Sequence, residues 1–124
     1  AFAEGPPELD LALMGLGPDA HTASLFPGHR ALDEEERPIT AVESPRMEPL
    51  VPRVTMAVPV LRAAREVVFL VAGEDKAEAV RRAFAGPPDR EVPASLIRPE
   101  HGSLTVLLDP AAASRLAEGR EGHR

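Results

Sequence analysis

The chain has 124 residues, a length suited to one domain that buries roughly two-thirds of the surface of its unfolded form. Its formal net charge of −6 disfavours nucleic-acid binding, because a protein that neutralises phosphates normally carries a basic face. The absence of cysteine excludes disulfides and thiolate chemistry and favours a reducing, cytoplasmic setting. No apolar run has the length of a membrane span, and the first residues lack the pattern of a signal peptide.

The first predicted strand is Leu9–Met14, a mainly apolar run typical of a strand covered on both faces. The Pro- and Gly-containing residues 1–8 before it have the composition of a linker. After a glycine-containing loop, His21–Phe26 predicts one helical turn. Residues 29–38 are charged and irregular, and Asp33–Glu36 predicts a solvated surface run, because adjacent acids cannot all converge on one metal ion.

The middle of the chain predicts three strands and a helix. Ile39–Glu43 is a short strand candidate, whereas the prolines in 44–52 disfavour regular structure. Alternating residues over 53–58 predict the next strand, and the proline that follows is suited to start a helix over Pro59–Arg65. The apolar run Glu66–Ala72 then predicts a second strand buried on both sides.

The last part of the chain begins with the clearest helix, Glu74–Ala85, which has apolar residues on one face and acidic residues at its start. Pro93–Pro99 predicts an extended connector, Leu104–Leu108 a strand and Pro110–Leu116 a final helix. Residues 118–124 are expected to fray.

The alternation of strands with helices predicts the fold class α/β, with a mainly parallel sheet flanked by helices, in a single domain over 1–124. Ligands of such sheets bind beyond the carboxyl ends of the strands, where loops and helix N-termini converge. The loop Gly15–Gly28, which follows the first strand, is therefore the leading candidate for a functional site.

This loop carries the residues needed for proton transfer. His21 can take a proton from water near neutral pH, and Asp19, two residues earlier, can orient its ring. Backbone N–H groups of Gly15 and Gly17 can stabilise a developing oxyanion. A purely structural interpretation uses the same residues, with the glycines turning the chain and Asp19 capping a turn. The third glycine of a dinucleotide fingerprint is missing, so the loop predicts no nucleotide cofactor.

Two cations are candidates for binding an anion. Lys76 lies in the first turn of a predicted helix, where it opposes the macrodipole; anion binding would explain this placement, and a solvated lysine is the alternative. Arg53 precedes a strand, and its planar guanidinium can bind two oxygens of a phosphate. The other histidines lack metal-ligand spacing and are assigned to the surface, so no metal site is predicted: His29, His101 and His123.

The string Leu13–Gly28 resembles the signature of 6-phosphogluconolactonases, sugar-lactone hydrolases related to glucosamine-6-phosphate deaminases. Further segments similar to this family follow in the same order along the chain: Arg53–Met56 with Pro59–Ala64, Phe69–Ala77, Pro93–Ile97 and Leu104–Asp109. The resemblance extends over nearly the whole chain, from Leu9 to about Leu116.

The resemblance implies hydrolysis of 6-phosphogluconolactone to 6-phosphogluconate in the oxidative pentose phosphate pathway, without metal or cofactor. His21 would activate water, Asp19 would support it, and Lys76 with Arg53 would hold the substrate phosphate. Thr22 matches the lactonase form of the motif, since deaminases usually place an apolar residue there. An amino-sugar phosphate deaminase, a sugar-phosphate isomerase and a non-catalytic sugar-phosphate-binding module remain alternatives.

The chain departs from the family pattern in two respects. Ala20 stands where the family usually has glycine, so its methyl group strains the loop if this position requires a positive φ. Family members also carry a long N-terminal portion, including another glycine-rich loop, before the matching segment. We therefore expect a fragment with an exposed sheet edge, whose partner is the N-terminal portion of the same enzyme.

Overall fold

The computed structural model describes residues 7–43 and 52–116 of the chain. The strands are β1 (Leu11–Met14), β2 (Ile39–Val42), β3 (Arg53–Met56), β4 (Glu66–Val71) and β5 (Ser103–Leu108), and the α-helices are α1 (Val58–Arg62) and α2 (Ala77–Phe84). Short 3-10 helices cover Arg30–Asp33, Glu74–Lys76 and Pro93–Leu96. Within these ranges no helix is both long enough and apolar enough to cross a membrane.

A three-stranded parallel sheet in the order β1-β4-β5 organises the fold. Met14 at the end of β1 lies beside Phe69 of β4, and Val71 at the end of β4 lies beside Leu108 of β5. Because the strands run parallel, the loops that follow them all emerge at the same end of the sheet, where the carboxyl ends of the strands lie. Strands β2 and β3 form a separate antiparallel pair. The predicted α/β class with a mainly parallel sheet is confirmed.

The core lies on one face of this sheet, where α1 and α2 pack. Val67 and Phe69 of β4 are fully buried, and the ring of Phe69 meets that of Phe84 from α2 edge to face, with centroids 5.0 Å apart. Leu61 of α1 belongs to the same buried cluster. Each large apolar side chain buried in this way contributes about 1.5–3 kcal/mol to folding, so this face anchors both helices.

The opposite face of the sheet is exposed, which corrects the prediction that 9–14 and 66–72 are covered on both sides. Residues alternate between buried and exposed along β1, where Leu11 and Leu13 are 54% and 64% exposed. Leu70 of β4 is 52% exposed. The physical reason is that both α-helices pack on the same face within the described part of the chain.

The predicted helical turn over His21–Phe26 is also wrong. Thr22 and Leu25 form an isolated antiparallel bridge, and the N–H of Leu25 donates to the carbonyl of Thr22 at 2.9 Å. Ala23 between them has φ +52°, in the left-handed region that a right-handed helix does not use. The segment is a tight turn that reverses the chain.

Three further elements differ from prediction. The segment 29–38 contains the 3-10 helix Arg30–Asp33, and the predicted connector after residue 92 begins with the 3-10 helix Pro93–Leu96. Residues 110–115 form successive turns in place of a helix, tied at their start by a bond from the Ala112 N–H to the Asp109 carboxylate. These short segments make local bonds that hydrophobic periodicity does not record. Three predictions lie mostly outside the described residues: the linker over 1–8, the irregular segment over 44–52 and the frayed end over 118–124.

Candidate active site

An open cleft of about 450 Å³ lies at the carboxyl ends of β1 and β4. It is lined by the glycine loop and by one side chain from beyond β4: Gly15, Leu16, Gly17, Pro18, His21, Thr22, Ala23 and Lys76. Two candidates distant in sequence, His21 and Lys76, therefore share one cleft. The parallel register of β1 and β4 explains this, because it places the two following loops side by side.

Asp19 and His21 form a close pair at the rim of this cleft. Oδ1 of Asp19 lies 2.6 Å from Nδ1 of His21 and also accepts the backbone N–H of His21 at 3.0 Å. The His21 side chain is only 14% exposed, and that of Asp19 is 36% exposed. With Nδ1 held by a carboxylate, Nε2 is the ring nitrogen left to exchange a proton with a ligand.

The Asp19 carboxyl is kept ionised by its contacts with His21. Burial alone would raise the pKa of Asp19, but hydrogen bonds from the backbone and ring of His21, together with the charge of that ring, outweigh burial and lower the pKa. The carboxylate is therefore an acceptor, which is the form that can orient an imidazole.

Asp19→Asn is expected to lower the free energy of unfolding at neutral pH by about 1 kcal/mol, the scale of one net hydrogen bond. A lowered native pKa stabilises the fold above the ordinary value of 3.8, and this contribution is lost as the pH falls through the native pKa. The difference between the two proteins should therefore shrink below pH 3.8. Urea unfolding at neutral and acidic pH measures it, and a difference that persisted unchanged in acid would contradict the assignment.

Gly17 makes room for the imidazole. A Cβ atom built at Gly17 would overlap Cε1 and Nδ1 of the His21 ring, and the N–H of Gly17 donates to the carbonyl of His21 at 2.9 Å. This N–H is thus occupied within the loop, which corrects the prediction that it is free to stabilise an oxyanion. Gly15, by contrast, has nothing within 4 Å of the position where a Cβ would stand.

Gly17→Ala and Gly15→Ala form a matched pair with opposite expected results. The methyl group at position 17 must displace the His21 ring from Asp19, so we expect this variant to lose the function of His21. The methyl group at position 15 meets open space and should change little. The two-dimensional NMR signals of the His21 ring report the displacement directly. Equal spectra for both variants would show that the ring does not depend on Gly17.

Backbone and hydroxyl contacts fix the shape of the loop. Oγ1 of Thr22, which is almost fully buried, donates to the carbonyl of Gly15 at 2.7 Å. Ala20 has φ +71°, and its backbone is tied by two bonds, to the Gly17 carbonyl at 2.9 Å and from the Ala94 N–H at 3.0 Å. A left-handed conformation costs a non-glycine residue about 1–2 kcal/mol. Ala20 therefore does adopt the positive φ that strains an alanine at this position, and these two bonds hold the strained backbone in place.

Lys76 reaches the glycine loop from the other strand. Its Nζ donates to the carbonyl of Leu16 at 2.6 Å, and its side chain is half-buried. The turn that carries it is fixed from β5, because the carboxylate of Asp109 accepts the N–H of Gly73 at 3.2 Å. All three parallel strands thus contribute to the placement of the lysine.

Arg53 lies near the site, against a buried aromatic ring that also contacts His21. Its guanidinium carbon is 5.8 Å from the ring centroid of Phe26, and that ring is 4.9 Å from the imidazole of His21. Phe26 is fully buried, and both candidates contact its ring. Sequence reasoning did not single out Phe26, although the one aromatic residue of a glycine-containing loop is a candidate for packing against the residues of a site.

The other histidines that the structure describes, His29 and His101, do not line this cleft. His29 caps the 3-10 helix Arg30–Asp33 by accepting the N–H of Ala31 at 3.0 Å, His101 is exposed, and His123 lies outside the described residues. Among the residues that the structure describes, no group of three or more potential ligands could hold a metal ion.

Together, the fold and cleft define an α/β protein in which the ends of parallel strands bring an Asp–His pair and a lysine to one cleft. A family model described as "Glucosamine-6-phosphate isomerases/6-phosphogluconolactonase" matches residues 1–106. The chain belongs to this family, as the resemblance of its motifs predicts.

Individual relatives agree with the family model. The chain is 42% identical to human 6-phosphogluconolactonase over 118 residues, which is 94% of this chain and 45% of the human protein. It is 47% identical over 111 residues to the 6-phosphogluconolactonase of Streptomyces coelicolor, covering 89% of this chain and 41% of that protein. The crystal structure of 6-phosphogluconolactonase from Leishmania guyanensis superimposes with a TM-score of 0.73 at 41% identity, covering 94% of this chain and 42% of that chain.

The matching region has a consistent place in these relatives. This chain spans less than half the length of the curated relatives it matches, and it corresponds to their C-terminal part.

Proposed function

We propose that this chain supplies the catalytic residues of a 6-phosphogluconolactonase, which hydrolyses 6-phosphogluconolactone to 6-phosphogluconate in the oxidative pentose phosphate pathway. The observation that carries the proposal is the Asp19–His21 pair in the same cleft as Lys76. A lactone carbonyl needs an activated water, and its phosphate group needs a cation, so the cleft offers both requirements of the reaction.

His21 begins the reaction as a general base. Its Nε2 accepts a proton from a water molecule whose oxygen forms a bond to the lactone carbonyl carbon, and Asp19 stabilises the resulting imidazolium through Nδ1. The carbonyl electrons move onto oxygen, next to the backbone of Gly15. The tetrahedral intermediate then collapses, the ring C–O bond breaks, and the leaving oxygen takes the proton from Nε2. The products are a carboxylic acid and a free hydroxyl.

Binding of the substrate phosphate is assigned to Lys76, with Arg53 as a second cation. The Lys76 side chain lines the cleft, whereas Arg53 is outside its lining and lies over the Phe26 ring. Thr22 favours lactonase over deaminase, because it carries the hydroxyl of the lactonase form of the motif and uses it to fix the loop at Gly15.

The complete enzyme in this proposal includes a counterpart of the relatives' N-terminal part. The half-length match supports this, as does the openness of the cleft. The absence of cysteine in the sequence supports a cytoplasmic setting for the same enzyme.

The test is proton release after addition of freshly made 6-phosphogluconolactone to the enzyme, with intact mass measured on the same sample. This chain assembled with its N-terminal counterpart should release acid well above the spontaneous rate. Release of ammonia from an amino-sugar phosphate, or formation of a ketose phosphate, would assign the cleft to the deaminase or isomerase branch of the family. Calorimetric binding of 6-phosphogluconate without turnover would indicate a binding module.

A further inference from the structure

The aromatic ring of Phe26 packs against the imidazole of His21. The two ring centroids are 4.9 Å apart, and the ring planes are tilted by 31°. Phe26 is fully buried and does not line the cleft, whereas the His21 side chain reaches the cleft. Rings at this separation attract one another more than burial alone accounts for. The imidazole therefore has an aromatic support in addition to its carboxylate partner Asp19.

Asp19 and Phe26 restrict different motions of the imidazole. The carboxylate of Asp19 lies 2.6 Å from Nδ1 and so fixes one atom of the ring. The torsion that turns a histidine ring is soft, so packing against a neighbouring group determines its value. Because Nε2 is the atom that must meet the attacking water, the angle of the ring decides whether the base is aligned for the reaction.

Strand β3 holds Phe26 in place from outside the parallel sheet. Arg53 and Thr55 are two residues apart on this strand and therefore face the same side. Oγ1 of Thr55, which is 4% exposed, accepts the N–H of Ser24 at 3.1 Å. The guanidinium carbon of Arg53 is 5.8 Å from the centroid of the Phe26 ring, within the range of a cation–π attraction. An element of the separate antiparallel pair thus reaches the proposed base through Phe26.

We propose that Phe26 is a positioning residue, which acts through His21 by holding the imidazole at the angle that proton transfer requires. This inference rests on the proposed function. An aromatic face attracts a cation more strongly than a neutral ring, and His21 becomes a cation when it accepts the proton. The contact is therefore stronger in the reacting state than in the bound state, so loss of the Phe26 ring lowers kcat and leaves KM nearly unchanged.

The test is Phe26→Leu in the assembled enzyme, assayed by acid release from 6-phosphogluconolactone. We expect kcat to fall about five- to tenfold, the scale of losing one aromatic contact. Phe69→Leu is the matched control, because Phe69 is also fully buried and its ring meets that of Phe84 in the core. This control should retain most of its kcat, and equal losses in the two variants would overturn the proposal.

A second comparison separates positioning of His21 from a general structural role. In a His21→Ala background, Phe26→Leu should cause little further loss of kcat, because the group through which Phe26 acts is missing. A loss as large as that in the unchanged background would overturn the proposal. Circular dichroism checks the fold of each variant. Phe26→Met fills more of the volume of the ring and takes the place of Phe26→Leu where the smaller side chain unfolds the protein.

The state of the imidazole can also be observed without turnover. In mildly alkaline solution, proton–nitrogen NMR spectra of the His21 ring distinguish one tautomer, with the proton on Nδ1 beside Asp19, from an exchanging mixture of both. Phe26→Leu should give the mixture and Phe69→Leu the single tautomer, and a single tautomer in both would contradict the proposal. If the unchanged enzyme hydrolyses no lactone, the proposed function fails, and a mixture confined to Phe26→Leu would still show that this ring orients His21.

Discussion

His21→Ala is expected to lower kcat for hydrolysis of 6-phosphogluconolactone at least about a hundredfold in the assembled enzyme, the scale of losing a general base. The structure gives the reason, since Nδ1 is held by Asp19 at 2.6 Å while the ring lines the cleft. Without the imidazole, the loop is left with the Asp19 carboxylate, which is a weaker base than imidazole. Acid release, corrected for spontaneous hydrolysis, measures the effect.

A matched control is available in the same chain. His101 is exposed and precedes β5, at the end of the sheet opposite the cleft, so His101→Ala should retain full activity. Equal rates for His21→Ala and the unchanged protein would remove His21 from the mechanism. Loss of activity in both variants would indicate a general defect in folding.

Lys76→Ala is expected to raise KM for the phosphorylated lactone about 10- to 100-fold with a smaller change in kcat. A hydrogen bond to a charged group contributes about 1.5–3 kcal/mol, and each 1.4 kcal/mol corresponds to about a tenfold change in binding. Lys76 stands beside the glycine loop in the cleft, where it can bind a phosphate without taking part in proton transfer. Steady-state kinetics on the assembled enzyme separate the two parameters.

Gluconolactone, which lacks the phosphate, is the control substrate for this variant. Its kinetics should be nearly the same with and without Lys76. An equal loss on both lactones would mean that Lys76 acts through its bond to the Leu16 carbonyl, as a support for the loop. Lys76→Arg keeps the charge and should retain part of the preference for the phosphorylated substrate.

The placement of the candidate residues follows from sequence because two simple patterns determine it. Apolar runs locate β1 and β4, and strand–helix alternation indicates that they run parallel. Asp19, His21 and Lys76 follow the ends of these strands and could thus be placed together before any coordinates. The structure adds the distances, and the catalytic roles stay predictions.

Other features depend on contacts that no pattern in one sequence reports. An apolar run such as Leu11–Met14 indicates that a strand is suited to burial, but it does not say which polypeptide covers each face. The occupied N–H of Gly17 depends on how the loop folds back on the His21 carbonyl. The left-handed Ala23 excludes the predicted helical turn, and alanine gives no warning of that conformation.

The bond between Lys76 and the Leu16 carbonyl also bears on how tightly an anion binds. A free lysine side chain loses about 2 kcal/mol of rotamer entropy when it is fixed. Its Nζ, 2.6 Å from the Leu16 carbonyl oxygen, is already held at the cleft, so a phosphate bound as we propose would meet a cation that is already in position. The Lys76 side chain therefore loses much of this entropy when the chain folds and not when an anion binds. The loops that follow β1 and β4 preorganise the cation.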